Sequence, residues 1–79
     1  MATVVLLGQL AELAGWRERR LEAVTLEALK ALLASEDPAL GERLNGPGVI
    51  TVVNRQMVRG DAELGPDDEV GFLPPVSGG

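Results

Sequence analysis

The residues best suited to chemistry are the last two, Gly78 and Gly79, which follow the segment 74–77 with the sequence Pro-Pro-Val-Ser. Glycine has no Cβ atom, so the backbone of such an ending can enter a narrow channel and adopt conformations closed to other residues. The α-carboxylate of Gly79 is ionised at neutral pH, because the reference pKa of this group is about 3.5. An ionised carboxylate is a poor acyl electrophile. Adenylation by a nucleoside triphosphate would convert it into a mixed anhydride, and a sulfur nucleophile would then yield a thiocarboxylate.

A terminal Gly-Gly also arises by chance, and chain ends commonly fray. Two neighbouring features favour a functional ending. Pro74 and Pro75 are stiff and would project the following residues away from the domain, and Val76 is an apolar group in an otherwise exposed place. The chain has no G-x-x-x-x-G-K phosphate-binding loop, so a separate enzyme must supply the adenylation.

The composition argues against an enzyme that works on its own. The 79 residues include no Cys, no His and no Tyr, which removes the thiol nucleophile, the usual acid–base group near neutral pH and the commonest metal ligands. The net charge of −5 disfavours nucleic acid as a partner, since nucleic-acid binding needs a basic face. We expect a cytoplasmic protein, because the apolar run at 4–7 is too short for a signal peptide or a membrane span.

The first part of the chain alternates strand and helix. Residues 3–7 are β-branched and apolar, which predicts a buried strand. Apolar residues recur at helical spacing over 10–14, and Gly15 suits a helix C-terminus. Charges alternate loosely with apolar residues over 17–24, which predicts an edge strand.

A longer helix follows. Thr25 suits its N-cap, Glu27 lies in the first turn where the helix dipole favours a negative charge, and the helix should end before Pro38. Its apolar face carries Leu26, Leu29, Leu32 and Leu33.

The remaining residues predict mostly strands. The pattern gives one more helical turn at 39–44, a loop at 45–48, a strong strand at 49–53, a turn at 54–56, a short strand at 57–58 and a last strand at 70–73. Two helices packed on one face of such a sheet make a two-layer α+β domain. We expect this domain to span 1–73 and a flexible C-terminal tail to span 74–79.

Several motifs resemble the small subunit of molybdopterin synthase, the MoaD type of the MoaD/ThiS sulfur-carrier family. They cover nearly the whole chain, and the Pro-Pro-Val-Ser-Gly-Gly ending is the most specific of them. The motifs are the apolar strand at 4–7, Leu-Ala-Glu-Leu-Ala-Gly at 10–15, Thr25-Leu26 with residues 29–33, Val53-Asn54, Val58, Asp61, Leu64, Asp68-Glu69-Val70 and the ending at 74–79.

The resemblance implies a β-grasp, ubiquitin-like fold with a mixed sheet, in a carrier that is a non-catalytic subunit of a sulfurtransferase complex. A MoeB-like enzyme would use ATP to adenylate Gly79, and a sulfur donor system would then supply the thiocarboxylate. The tail would insert into the large, MoaE-like subunit of molybdopterin synthase. There it would give sulfur to precursor Z, a cyclic pyranopterin monophosphate, in molybdenum cofactor biosynthesis. No cofactor or metal is expected on this chain, and neither nucleic acid nor a membrane is expected as a partner.

The resemblance also implies roles for individual residues. Gly79 would carry the sulfur and Gly78 would keep the tail slim. The residues expected to seat the inserted tail are Ser77, Val76 and Pro75, and those expected at a partner docking surface are Phe72, Leu73, Arg55 and Arg59. For the two arginines, surface solubility is the alternative to contact with an acidic partner.

Two positions depart from the family pattern. Members often carry Gly where this chain has Asp67, and Asp tolerates left-handed turns well enough for the turn to survive. Members also often have Gly after the Asn of the middle turn, where this chain has Arg55. We therefore do not expect a tight type I′ turn at 54–55.

Several alternatives stay open. Trp16 is either a structural cap over the sheet or a hot spot for a partner. The acidic segment 61–69 is either a solvated turn or a docking patch, and the consecutive acids at 67–69 lack the convergent geometry of a calcium loop. The rival functions are a sulfur carrier for thiamine thiazole, cysteine or tRNA thiolation, a ubiquitin-like protein modifier, and an interaction module with an idle tail.

Overall fold

The computed structural model describes residues 1–75, and within them five strands and three helices follow one another. No helix in this part of the chain is long and apolar enough to cross a membrane. The elements are β1 (Ala2–Leu6), α1 (Gln9–Ala14), β2 (Glu18–Leu21), α2 (Leu26–Glu36), α3 (Pro38–Leu44), β3 (Ile50–Val53), β4 (Gln56–Val58) and β5 (Glu69–Leu73). The expected extra turn at 39–44 is a helix of seven residues, so three helices are present where two were predicted.

The strands form one mixed sheet in the order β2-β1-β5-β3-β4. β1 and β5 run parallel at its centre, with Leu6 opposite Phe72, and the other neighbouring pairs are antiparallel. β2 lies at an edge, as predicted. Because the first and last strands are parallel, both end at the same side of the sheet, and the chain beyond Leu73 leaves the sheet beside the β1–α1 loop. This topology confirms the predicted β-grasp fold.

The hydrophobic core lies between the sheet and the helices. Side chains alternate along β1, so that Val4 and Leu6 are fully buried while Thr3 and Val5 are only partly covered. All three helices contribute leucines to this one core, so they cover the same face of the sheet. The core side chains are Ala2, Val4, Leu6, Leu10, Leu21, Leu26, Leu29, Leu33, Leu40, Leu44, Leu64, Val70 and Phe72.

Two side-chain caps fix the start of α2. Thr25 Oγ1 accepts a hydrogen bond from Ala28 N at 3.1 Å, which confirms the predicted N-cap. Asp61 Oδ1, from the segment between β4 and β5, accepts a hydrogen bond from Glu27 N at 2.9 Å. A carboxylate at this end of a helix also interacts favourably with the helix dipole. The second cap therefore ties the β4–β5 connection to α2.

A close contact sets the packing of α3 on α2. Asp37 follows the end of α2 and caps α3, since its Oδ1 accepts a hydrogen bond from Leu40 N at 3.2 Å, and Pro38 occupies the first turn. Gly41 approaches α2 so closely that a Cβ atom added there would overlap the Cβ atom of Ala34. The missing side chain at Gly41 therefore allows the two helices to pack together.

The turn between β3 and β4 corrects one expectation. Val53 pairs with Gln56, so Asn54 and Arg55 form a two-residue hairpin loop. Both have positive φ, 50° at Asn54 and 69° at Arg55, as a type I′ turn requires. The expectation that Arg55 excludes this turn is wrong. The expected turn before β5 is present at 65–68, and Asp67 needs no left-handed conformation in it.

We expect Gly41→Ala to lower the free energy of unfolding by about 1–3 kcal/mol, which is the usual cost of overpacking. Helix propensity alone predicts the opposite, a gain of about 1 kcal/mol. Denaturant titration of the two proteins measures the difference. The double variant Ala34→Gly/Gly41→Ala should regain part of the loss, and a more stable Gly41→Ala protein would contradict the close contact.

Candidate functional site

The candidate site is the end of the sheet from which the C-terminal residues depart. β5 ends at Leu73, beside the end of β1, and the chain continues through Pro74 and Pro75. Four residues that the sequence assigned to the reaction and to tail insertion, Gly79, Gly78, Ser77 and Val76, lie outside the described residues. The structure therefore defines the base from which they start.

Pro74 and Pro75, which the sequence assigned to the tail, pack against the domain. Pro74 lies against Gly8 in the β1–α1 loop, and Pro75 lies against Gly48 in the α3–β3 loop. A hydrogen bond of 3.1 Å from Leu7 N to Phe72 O continues the β1–β5 pairing up to this point. The sequence predicts a loop at 45–48 and places Gly8 directly after the first predicted strand. No local pattern shows which residue packs on a glycine, so neither contact could be predicted.

An apolar groove of about 760 Å³ adjoins the two prolines. Its walls come from α1, α3 and the loop before β3. Leu13, which the sequence placed on the apolar side of α1, is 41% exposed and lines the groove. Glu42 and Arg43 of α3 give part of the rim opposite charges. A partner that handles the C-terminus would find this surface at the base of the tail.

The outer face of the sheet carries a second apolar surface. Register places Val5, Gly71, Val52 and Met57 side by side across four strands. Met57 is 63% exposed and Leu73 is half-buried. No helix covers this face within the described part of the chain.

The structure separates the two neighbouring residues that were expected at a docking surface. Phe72 is fully buried beneath the helices, so its assignment to a docking surface is wrong. The physical reason is the strand period of two: Phe72 shares the core face with Val70, and Leu73 points to the other face. Leu73 pairs with Ile50 at the tail end of the sheet, where a partner can reach it.

The two predicted docking arginines lie apart from each other. Arg55 is exposed in the β3–β4 turn, at the end of the sheet opposite the tail. Arg59 is exposed just after β4, where Val58 pairs with Thr51, so it lies at the same end of the sheet as Leu73. Only Arg59 is therefore near the base of the tail.

The acidic turn before β5 has a structural role. Asn54 Nδ2 donates to Asp68 Oδ1 at 2.9 Å, and Gly65 N donates to Asp68 Oδ2 at 2.7 Å. Asn54 Oδ1 in turn accepts a hydrogen bond from Glu69 N at 2.9 Å. These bonds hold the Asn54-Arg55 turn in place. The hydrogen bond from Asn54, followed by that from Gly65, holds the pKa of the Asp68 carboxyl below its ordinary value. Among residues 1–75, no three acidic side chains converge as a metal site requires.

Trp16 joins a small cluster at the β2 edge. Its side chain is half-buried and packs against the core, and the Arg19 guanidinium lies 5.1 Å from the ring centroid. Arg19 Nη1 also donates to Glu36 Oε1 at 2.7 Å, which lowers the pKa of the Glu36 carboxyl and raises that of Arg19. These contacts fit the structural alternative for Trp16.

Comparison with known proteins gives full-length matches. The ThiS family matches residues 4–79. The molybdopterin synthase sulfur carrier subunit of Escherichia coli (strain K12) is 33% identical over 81 residues, which cover 100% of both chains. The crystal structure of SAMP1 from Haloferax volcanii has a TM-score of 0.86 and 28% identity, and covers 99% of this chain and 98% of its own. The solution structure of small archaeal modifier protein 1 from Methanosarcina acetivorans has a TM-score of 0.87 and 28% identity, and the match covers 99% of this chain and 95% of that one.

We expect Asp68→Asn to lower stability in a pH-dependent way. The pKa of Asp68 is lower in the folded protein than its ordinary value of 3.8, so the charged carboxylate stabilises the fold above that pH. This contribution is lost as the pH falls through the lowered pKa. Thermal unfolding of both proteins between pH 7 and pH 2 should therefore show a lower melting temperature for Asp68→Asn at neutral pH. The difference between the two melting temperatures should disappear in acid.

Asp67→Asn is the matched control, since it makes the same charge change one residue away at an exposed side chain. If Asp68→Asn lowers the melting temperature no more than Asp67→Asn does, or by the same amount down to pH 2, the hydrogen-bonded carboxylate does not stabilise the turn.

Proposed function

This chain belongs to the ThiS family of sulfur carriers, and from that membership we propose that its Gly79 carboxylate is adenylated, converted into a thiocarboxylate and used as a sulfur donor. We further propose that it serves as the small subunit of a molybdopterin synthase. The acceptor would be precursor Z, the cyclic pyranopterin monophosphate. This sulfur transfer would be a step of molybdenum cofactor biosynthesis.

One observation carries this proposal. The match to the E. coli molybdopterin synthase sulfur carrier subunit covers both chains completely, and the family match continues to residue 79. The similarity therefore includes the Gly-Gly ending as well as the folded body. Since the fold releases the chain at one end of the sheet, the body and the ending support the same function.

The chemistry needs two displacements. A carboxylate oxygen of Gly79 attacks the α-phosphorus of ATP, and pyrophosphate leaves with the electrons of the broken P–O bond. Hydrosulfide, or a donor that delivers sulfur in the same oxidation state, then attacks the acyl carbon of the adenylate, and AMP leaves. The products are a thiocarboxylate and AMP, with no net oxidation or reduction. This chain has no phosphate-binding loop, so a MoeB-like partner would bind the ATP.

The length of the tail limits how each partner can dock. Four residues follow Pro75, and fully extended they reach at most about 14 Å. An enzyme that holds the Gly79 carboxylate in its active centre must therefore lie against the sheet end around Pro75. The groove beside α1 and α3 and the outer sheet face at Leu73 are the surfaces within that reach. We propose that the adenylating enzyme and a MoaE-like large subunit use this region in turn, in the cytoplasm where ATP is available.

A second function has support of its own. Two of the structural matches are small archaeal modifier proteins, with TM-scores of 0.86 and 0.87. A protein modifier uses the same adenylated terminus, but a lysine amine of a target would attack the acyl carbon and form an amide. The two functions share the first step and differ in the nucleophile of the second.

Deleting Gly79 is expected to abolish thiocarboxylate formation and leave the fold intact, because glycine has no side chain to bury and the core side chains of residues 1–75 all remain. Incubation with ATP, the adenylating enzyme and hydrosulfide, followed by mass spectrometry of the intact chain, measures the exchange of one oxygen for sulfur. The melting temperature of the shortened chain should match that of the full chain.

A full-length chain that ends in a Gly79 carboxamide separates tail length from carboxylate chemistry. It has the same reach but no carboxylate, and it should also stay unmodified. Sulfur incorporation into either altered chain would refute a reaction at the Gly79 carboxylate.

The thiocarboxylated chain is expected to lose its sulfur to precursor Z in the presence of a molybdopterin synthase large subunit. Mass spectrometry follows the return of the chain to its carboxylate form. Discharge only by a tRNA or by the precursors of thiazole or cysteine would reject the molybdopterin assignment. Higher-mass conjugates with other proteins would instead establish the modifier function.

A further inference from the structure

The first two residues beyond β5 rest on two glycines from separate loops. Gly8 precedes α1, and Gly48 precedes β3. Pro74 packs on the first and Pro75 on the second. The two loops are 40 residues apart in sequence, yet the fold brings both to the point where the chain leaves the sheet.

The contacts leave no room for a side chain at Gly48 and little room for one at Gly8. A Cβ atom at Gly48 would lie 2.9 Å from Pro75 Cβ, closer than non-bonded carbon atoms approach. A Cβ atom at Gly8 would lie 3.2 Å from Pro74 Cγ. Both glycines also have positive φ, 84° at Gly48 and 54° at Gly8, so glycine is favoured there by backbone conformation as well as by space.

Among the four glycines with positive φ, such a close contact occurs only at the two near the base of the tail. Gly15 and Gly60 have positive φ values of 84° and 77°, and a Cβ atom on either would meet nothing within 4 Å. Positive φ in a turn therefore does not by itself bring another residue onto the glycine. The contacts at Gly8 and Gly48 exist because the two proline rings are placed there.

We propose that Gly8 and Gly48 are positioning residues for the reaction at Gly79, because they seat Pro74 and Pro75 and so fix the direction in which the chain leaves Pro75. This inference rests on the proposed function. Each proline ring already fixes its own φ near −65°, and Pro75 also restricts the residue before it. The glycine contacts also restrain the position of the two rings relative to the domain, since they hold the rings against it.

The direction matters because the tail is short. With four residues spanning about 14 Å, a rotation of about 30° at Pro75 would move the carboxylate by about 7 Å. A partner whose channel accepts a slim tail in one direction would bind a correctly aimed tail at a lower entropic cost. Loss of the seat should therefore weaken productive binding of the carrier and leave the chemical step unchanged.

Gly48→Ala tests the inference, with Gly15→Ala as the matched control because both positions have a φ of 84°. Both substitutions place an alanine at this positive φ, but only the first displaces Pro75. We expect Gly48→Ala to raise the KM of the adenylating enzyme for the carrier about tenfold and to leave kcat unchanged. The tenfold rise corresponds to the entropic cost of ordering one more residue on binding. Gly15→Ala should leave both constants at the wild-type values. Proton NMR should show the contact between Gly48 Hα and the Pro75 ring in wild type and its loss in Gly48→Ala.

Pro75→Gly provides a second variant, which removes the ring together with the Cβ atom that a side chain at Gly48 would meet. It should raise KM at least as much as Gly48→Ala does, and adding Gly48→Ala to it should cause no further rise. Equal KM values for Gly48→Ala and Gly15→Ala, or independent effects of Gly48→Ala and Pro75→Gly, would overturn the seat while leaving the proposed function intact. If the wild-type chain is not adenylated at all, the proposed function fails and the inference fails with it.

Discussion

The parallel pairing of β1 with β5 is the constraint on which the rest of the structure depends. It places the first and last strands side by side at the centre of the sheet, with Val4 opposite Val70 and Leu6 opposite Phe72 in the core. Because parallel neighbours end at the same side, the C-terminal residues must leave the sheet beside the loop that follows β1. The groove, the outer apolar face and the two glycines of the proline seat all lie around this one exit.

The molecule separates stability from chemistry. Its packed body offers partners two apolar surfaces and a fixed exit for the chain, while the only group assigned to the reaction is the terminal carboxylate. Such a division would suit the proposed carrier, because each enzyme could supply its own catalytic groups to the same terminus. It also explains how a chain of 79 residues without Cys, His or Tyr can take part in sulfur transfer.

Local patterns in the sequence predicted much of the fold. The apolar spacing of α2 and the Thr25 cap are confirmed, since both depend on neighbours within one helical turn. The Asn54-Arg55 turn could not be predicted locally, because Asn54 is held by Asp68 and Glu69, which lie 14 and 15 residues further along the chain. Phe72 was misassigned because its face of β5 depends on register with β1. The roles of Gly8 and Gly48 were missed for the same reason: a contact between remote loops leaves no periodic signal.

The central claim is that the carboxylate of Gly79 itself is the reacting group, and isotope tracing tests it most directly. A chain made with ¹⁸O in both oxygens of that carboxylate would be incubated with unlabelled ATP, the adenylating enzyme and hydrosulfide. One labelled oxygen should then appear in the AMP phosphate, and the other should remain in the thiocarboxylate. AMP free of ¹⁸O, alongside a chain that has nevertheless gained sulfur, would contradict the claim.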